Sequence, residues 1–211
     1  MTRSIMVVLC ILSLALSAAT TSAQVSLEFT QRFTECLDTS LGGYDHGEFF
    51  ETGPWVSDVS VTQIATGYAH QNSAIQAAGN TLVVEGDLSA LVELVGQGTG
   101  PFIETSSYLA VHFTVTEPSF YSLRGSLAGG ATLYLRRSGS FLDIVTPGPF
   151  DLAGSIEPGV YYVLEVYAAL GVALEEEGSV SESAGFTLTV TDDPAIPDLK
   201  TSWGNVKGLF R

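Results

Sequence analysis

The sequence predicts an all-β protein, an antiparallel β-sandwich or jelly roll. Apolar and polar residues alternate with a period of two in many short segments, and helical periodicity is nearly absent. Glycine, proline and serine separate these segments, as is typical of turns between strands. A parallel sheet would need helical crossovers between its strands, so the pattern favours two antiparallel sheets packed face to face.

The second half of the chain carries the clearest strands. Residues 107–116 place four apolar side chains on one face and leave Tyr108 and His112 on the other, and Pro118 follows where the ladder must end. Residues 185–191 alternate as cleanly, with threonines on a face that we expect to meet water. Further strands are expected at residues 131–135, 141–145 and 160–168, the last after a turn at residues 157–159.

The first half shows shorter signals of the same kind. Val25, Leu27 and Phe29 alternate with polar residues. Additional strand candidates lie at residues 55–64, 73–77 and 81–85. Residues 88–95 fit either a strand or one helical turn, because a short apolar run does not distinguish the two.

Residues 1–23 have the three parts of a cleavable secretory signal peptide. Arg3 gives the positive start, residues 5–16 are apolar, and residues 17–23 are small up to the expected cut after Ala23. A membrane-spanning helix needs about 20 apolar residues, so a retained anchor is disfavoured. We therefore expect a secreted chain that does not span a membrane after cleavage.

The expected domain organisation is a single β-sandwich over residues 24–192, then a linker and C-terminal tail over residues 193–211. Pro194 and Pro197 mark the linker, and Ser202 is a candidate cap for one or two helical turns. The tail either docks onto the sandwich or serves as a sorting or attachment signal.

The charge balance limits the partners. Acidic residues number 23 and basic residues eight, for a formal net charge of −15. This surplus would repel a phosphate backbone, so no nucleic-acid partner is expected. Hydrophobic residues make up 45% of the chain, which favours a folded core over disorder. Only Cys36 remains after cleavage, so the domain must hold together without an internal disulfide.

Several strand and turn motifs between Tyr108 and Val190 carry a family resemblance. They are Phe113-Thr114-Val115, Tyr121-Ser122-Leu123, Leu133-Tyr134-Leu135 and Pro158-Gly159-Val160-Tyr161-Tyr162-Val163. Over about 80 residues the chain resembles secreted bacterial β-sandwich modules of the pre-peptidase C-terminal type, which implies a non-catalytic appendage. Residues 203–211, with Trp203, Lys207 and a final Phe-Arg, are similar to short tails that end many secreted bacterial proteins.

No motif indicates a catalytic centre. His46, His70 and His112 are far apart and lack metal-ligand spacing. The acidic neighbours of Cys36 disfavour its thiolate, so a buried or incidental thiol is expected rather than a nucleophile. Paired carboxylates would suit a glycoside hydrolase, but the sequence selects no pair.

No cofactor is expected, and the alternative is calcium, for which acidic loops and strand ends offer hard oxygen ligands. The spacing does not match an EF-hand loop, and solvated acidic loops are the simpler interpretation. The candidate ligands are Asp45, Glu48, Glu175, Glu177, Asp192 and Asp193.

Aromatic residues gather in the glycine-rich segment 41–70. If exposed they would stack on sugar rings, whereas if buried they would close one end of the sandwich. Tyr44, Trp55 and Tyr68 are the candidate carbohydrate-binding residues, and exposure of Trp55 is the feature that would favour this role.

Three hypotheses of function follow. The first is a non-enzymatic structural or adhesive module of a bacterial cell surface or extracellular matrix. The second is a carbohydrate-binding module, with or without calcium, whose partner is a glycan. The third and weakest is a carboxylate-dependent hydrolase, which needs two carboxylates, or a histidine and a carboxylate, in one cleft.

Overall fold

The computed structural model describes residues 25–39, 42–62, 65–94, 102–173, 175 and 177–193. This part of the chain is all-β, as predicted, and contains no helix that is long and apolar enough to cross a membrane. The expected signal peptide and nearly all of the expected tail lie outside the described residues. The strands are β1 Val25–Asp38, β2 Gly43–Phe49, β3 Gly53–Thr62, β4 Ala65–Ala78, β5 Thr81–Leu94, β6 Ile103–Val115, β7 Ser119–Ala128, β8 Thr132–Arg137, β9 Ser140–Val145, β10 Gly148–Ile156, β11 Tyr162–Val172 and β12 Gly178–Thr191.

The twelve strands form two antiparallel six-stranded sheets. Sheet one has the order β2-β1-β6-β11-β8-β9, and sheet two has the order β10-β7-β12-β5-β4-β3. The sheets pack face to face, with β1 against β4, β6 against β5 and β11 against β12. The described chain is therefore a β-sandwich, which confirms the predicted fold class.

The core lies where alternate side chains of both sheets meet. In β5 every second residue from Leu82 to Leu94 is buried, and in β6 the odd-numbered positions are buried throughout. Residues 88–94 of the ambiguous segment thus belong to a strand, because their alternate residues fit the space between two sheets. In β12 the threonines at positions 187 and 189 point outward and are only partly buried, as predicted.

One end of this interior is polar, and a buried arginine organises it. Thr30, Arg32 and Thr34 of β1 point inward and are 0–4% exposed. The Arg32 guanidinium donates a hydrogen bond to the backbone oxygen of Gly53 at 2.8 Å and another to that of Glu51. These carbonyls lie in the turn where the chain leaves sheet one and enters sheet two, so Arg32 fixes that corner.

Aromatic and hydroxyl contacts complete the corner. The rings of Phe49 and Trp55 stack at 6.1 Å and are nearly parallel, and the Arg32 guanidinium lies 4.6 Å from the centre of the Phe49 ring. The hydroxyl groups of Thr34 and Ser57 are 2.7 Å apart. Edge strands β2 and β3 are thereby joined through their side chains.

Candidate functional site

The two outer faces of the sandwich differ in composition. The outward residues of sheet two are mostly small, polar or acidic, among them Glu85, Asp87, Thr187 and Thr189. Sheet one instead presents aromatic rings, which we call the aromatic face. Each of the six strands contributes at least one ring, and Tyr161 comes from the residue just before β11. The members are Phe29, Phe33, Tyr44, Tyr108, Tyr134, Phe141, Tyr161 and Tyr167.

The alternation that fills the core also creates this face. Because Leu109 and Val111 point into the core, Tyr108 and His112 of the same strand must point out. By the same argument Phe33 points outward, because its neighbour Arg32 points into the interior. Aromatic side chains at outward positions cost solubility, and patches of them mark interaction surfaces.

A row of three rings crosses the centre of the face. Phe33 of β1, Tyr108 of β6 and Tyr167 of β11 are direct cross-strand partners. Their ring centres are 5.0 and 4.5 Å apart, in tilted pairs. The flanking rings leave Tyr108 only 9% exposed, and burial together with a hydrogen bond to Tyr167 raises the pKa of Tyr108 above its ordinary value.

A second row runs parallel to the first. The Phe29 ring meets the edge of His112 at 5.2 Å, and the Tyr161 hydroxyl lies 2.6 Å from Nδ1 of His112. Burial lowers the pKa of His112, which favours the neutral form of its imidazole. Across the sheet the row continues to Arg136, whose guanidinium lies 5.9 Å from the centre of the Phe141 ring.

The second row ends in a concave site at the β8–β9 turn, which we call the hairpin pocket. Its volume is about 420 Å³, within the range of small-molecule sites. Gly139 makes the turn with a positive φ of 80°, and the backbone N–H of Ser138 donates to the backbone oxygen of Tyr161 at 3.0 Å. The lining residues are Arg136, Arg137, Ser138, Gly139, Ser140, Phe141, Tyr161 and Val163.

Each arginine of the hairpin pocket has a carboxylate partner. Arg136 pairs with Glu165, and Arg137 pairs with Glu157 at 3.3 Å. Arg137 also donates from Nε to the Ser140 hydroxyl at 3.1 Å. The pocket therefore combines aromatic rings with cations, carboxylates and hydroxyl groups.

A smaller cluster lies on the outer face of sheet two. Asp58 accepts a hydrogen bond from the Tyr68 hydroxyl and lies 2.7 Å from Nδ1 of His70. These bonds lower the pKa of Asp58, and the bond to Asp58 raises that of Tyr68. Burial and, after it, the charge of Asp87 raise the pKa of Glu85 on the same face.

The three predicted carbohydrate-binding residues lie on three different surfaces. Tyr44 is exposed on the aromatic face, and Tyr68 lies on the outer face of sheet two. Trp55 is partly buried at the corner, where it stacks on Phe49. Only Tyr44 thus belongs to the surface that is richest in aromatic rings.

The predicted calcium ligands are also dispersed. Asp45 accepts from the backbone N–H of Ser60 at 3.1 Å, and Glu48 accepts from Gln31 at 3.4 Å. Glu175 and Glu177 lie between β11 and β12, whereas Asp192 accepts from Asn80 and Asp193 follows it at the end of β12. Within the described ranges, no three or more His, Cys, Asp or Glu side chains are grouped so as to hold a metal ion.

Cys36 is completely buried, in agreement with the prediction of a buried thiol. Its Sγ donates to the backbone oxygen of Val59 at 3.4 Å. Burial raises the pKa of the thiol to about 12, which keeps it protonated and unreactive at neutral pH.

Sequence reasoning missed the rows of the aromatic face and the role of Arg32. A usable signal was present for the rows, since Tyr108 and His112 fall on the face of their strand that is opposite to the core. The alternation does not indicate which strand lies beside which in the sheet. No comparable signal marked Arg32, because a charged residue at an inward position contradicts the usual alternation.

No protein-family model matches the sequence, and no curated protein matches it. Among solved structures, the chain is similar to the crystal structure of the GH31 alpha-xylosidase from Xanthomonas citri, with 9% sequence identity and a TM-score of 0.25. The match covers 81% of this chain and 28% of that one. A likeness this low indicates neither the fold nor the function.

Proposed function

We propose that the protein is a secreted, non-enzymatic adhesive module that binds glycan chains of a cell surface or matrix through the aromatic face. The observation that carries the proposal is the concentration of rings on one outer face of the sandwich and the polar, acidic character of the other. A protein that only filled space in a matrix would have no need of this asymmetry.

The chemistry of the face suits carbohydrate. The two faces of a sugar ring carry C–H groups, which pack on the electron-rich faces of aromatic rings, while its hydroxyl groups need donors and acceptors at the rim. Phe29, Phe141 and Tyr161 are 40–53% exposed and supply the rings. The partly buried Gln31 and Glu165, on outward positions between the two rows, supply an amide and a carboxylate.

Export is part of the proposal and rests on residues 1–23. The expected mature N-terminus is Gln24. Mass spectrometry of protein recovered from the culture medium or the cell envelope tests this directly. Recovery only inside the cell, with the leader intact, would contradict it.

The binding test is a glycan-array screen of the purified protein, performed once with calcium and once with a chelator. Tyr161→Ala removes an exposed ring from the aromatic face, and Tyr68→Ala is the matched control on sheet two. We expect binding that survives the chelator, because the described residues offer no grouped metal ligands. The Tyr161 variant should bind about tenfold more weakly, a loss of about 1.4 kcal/mol, and the Tyr68 variant should bind as the parent does.

Each other outcome has a definite meaning. Loss of binding in the Tyr68 variant alone would transfer the site to sheet two. Binding abolished by the chelator would show a calcium-dependent lectin-like site. Absence of binding in both conditions would contradict the glycan proposal.

A further inference from the structure

The hairpin pocket is a concave part of the aromatic face, and its contents indicate which glycans fit it. Two exposed rings, Phe141 and Tyr161, are among its lining residues. Ser138 and Ser140 contribute hydroxyl groups at the β8–β9 turn. A volume of about 420 Å³ is enough for a small part of a glycan chain.

The charges of the pocket cancel. Arg136 and Arg137 are opposed by Glu165 and Glu157, so the site has both signs of charge and no net positive field. The whole chain carries a net charge of −15, which repels anions at longer range. A carboxylate on the ligand would have to displace one of these glutamates, whereas a hydroxyl group could bond to both partners of a pair.

Donors are available beside these pairs. Among the described residues, Nε of Arg136 is buried without a hydrogen-bond partner, and an unsatisfied buried donor is costly. Arg137 uses Nε and Nη1 in the bonds to Ser140 and Glu157, and no bond from its Nη2 occurs within the described part of the chain. A ligand oxygen in the pocket would supply an acceptor to the Arg137 guanidinium, whose side chain is exposed.

We propose that the hairpin pocket is the principal subsite for one ring of an uncharged polysaccharide. This inference rests on the proposed function and adds the ligand class: neutral rather than acidic glycans. Phe141 and Tyr161 stack on the sugar ring, while the arginine–glutamate pairs bind its hydroxyl groups as paired donors and acceptors.

The test is isothermal titration calorimetry of the purified protein at 50 and 500 mM NaCl. The neutral probes are cellohexaose, xylohexaose, mannohexaose and maltohexaose, and the acidic probe is oligogalacturonate. The variants are Phe141→Ala and Arg137→Gln, with Arg124→Gln on sheet two as the matched control. Phe141, Arg137 and Arg124 all have exposed side chains, so circular dichroism should show that each variant folds as the parent does.

We expect at least one neutral hexasaccharide to bind more tightly than oligogalacturonate, with less than a twofold change in affinity between the two salt concentrations. Phe141→Ala should weaken that binding at least tenfold and Arg137→Gln about fivefold, whereas Arg124→Gln should leave it unchanged.

Tighter, salt-sensitive binding of oligogalacturonate would overturn the assignment to neutral glycans but leave glycan binding intact. Neutral binding that neither pocket variant weakens would overturn the subsite and leave the proposed function standing. If no probe binds, the inference fails for these neutral glycans. The wider glycan array then decides whether the proposed function fails with it.

Discussion

Replacing Arg32 by methionine tests whether a buried guanidinium holds the corner between the two sheets. Methionine keeps an unbranched apolar stem but is shorter than arginine, and it removes the charge and the donors. The two hydrogen bonds to the carbonyls of Glu51 and Gly53 are lost, each worth about 1.5–3 kcal/mol when the donor is charged. The contact with the Phe49 ring adds about 1–2 kcal/mol.

The opposing contribution is the cost of burying the charge. Burial lowers the pKa of Arg32 well below its ordinary value, to about 10, which corresponds to about 3 kcal/mol against the charged form. The two carbonyls also lie at a partly exposed turn, so water will recover part of the lost bonding. The balance is a net loss of about 2 kcal/mol in the free energy of unfolding for Arg32→Met.

Urea unfolding followed by circular dichroism and tryptophan fluorescence measures this loss. For a domain of this size, 2 kcal/mol corresponds to a decrease of about 4–8 °C in Tm. Arg124→Met is the control, because the Arg124 side chain is exposed, as is its ion pair with Asp151, so the change should alter stability by less than about 0.5 kcal/mol. If Arg32→Met is as stable as the parent or more so, the desolvation cost exceeds the bonds and the argument for the corner is refuted.

Three further predictions concern the packing of the interior. The pKa of Cys36 is about 12 in the folded state, whereas its ordinary value is 9.0. Between pH 9 and 12 the folded protein therefore retains the thiol proton and the unfolded chain loses it. The free energy of unfolding should fall by about 1.4 kcal/mol per pH unit over this range. Unfolding titrations at pH 8 and 10 should show this decrease to be smaller in Cys36→Ala, and an equal decrease in both proteins would contradict it. A Cβ on Gly125 would overlap the backbone of the adjacent strand, so Gly125→Ala should lower the free energy of unfolding by about 3 kcal/mol in a thermal unfolding experiment. Gly178 has open space around it, so Gly178→Ala should cost almost nothing. Equal stability of the two variants would contradict this prediction. Tyr121→Phe removes a hydrogen bond to the Asp143 carboxylate and should lower the free energy of unfolding by about 1–2 kcal/mol, and a urea midpoint unchanged from the parent would count against that bond.

The sequence alone was sufficient to predict strands and the side of each strand that is buried. In residues 107–116 and 185–191 the period of two is a property of the extended backbone itself, so it can be read without knowing any neighbour. The structure confirms both segments in β6 and β12. The turn at residues 157–159 was equally local, and Gly159 takes a positive φ of 72° there.

The candidate site was less accessible because nearness in sequence is a poor guide to nearness in a sandwich. Tyr44 and Tyr68 were grouped because both lie in segment 41–70. That segment crosses from sheet one to sheet two at the corner held by Arg32, which places the two rings on opposite outer faces. Trp55, between them, is partly buried at the crossing.

Strand order and register were decided only by the tertiary structure. β1 pairs with β6 and β6 with β11, and this order brings Phe33, Tyr108 and Tyr167 into one row. Alternation fixes the direction in which each of these rings points but not which strand lies beside it. Any two strands with a matching apolar face can pair, and the choice depends on how all twelve fill a common core. The sequence therefore determined that Tyr108 points away from the core, and the packing of the whole sandwich determined which rings stand next to it.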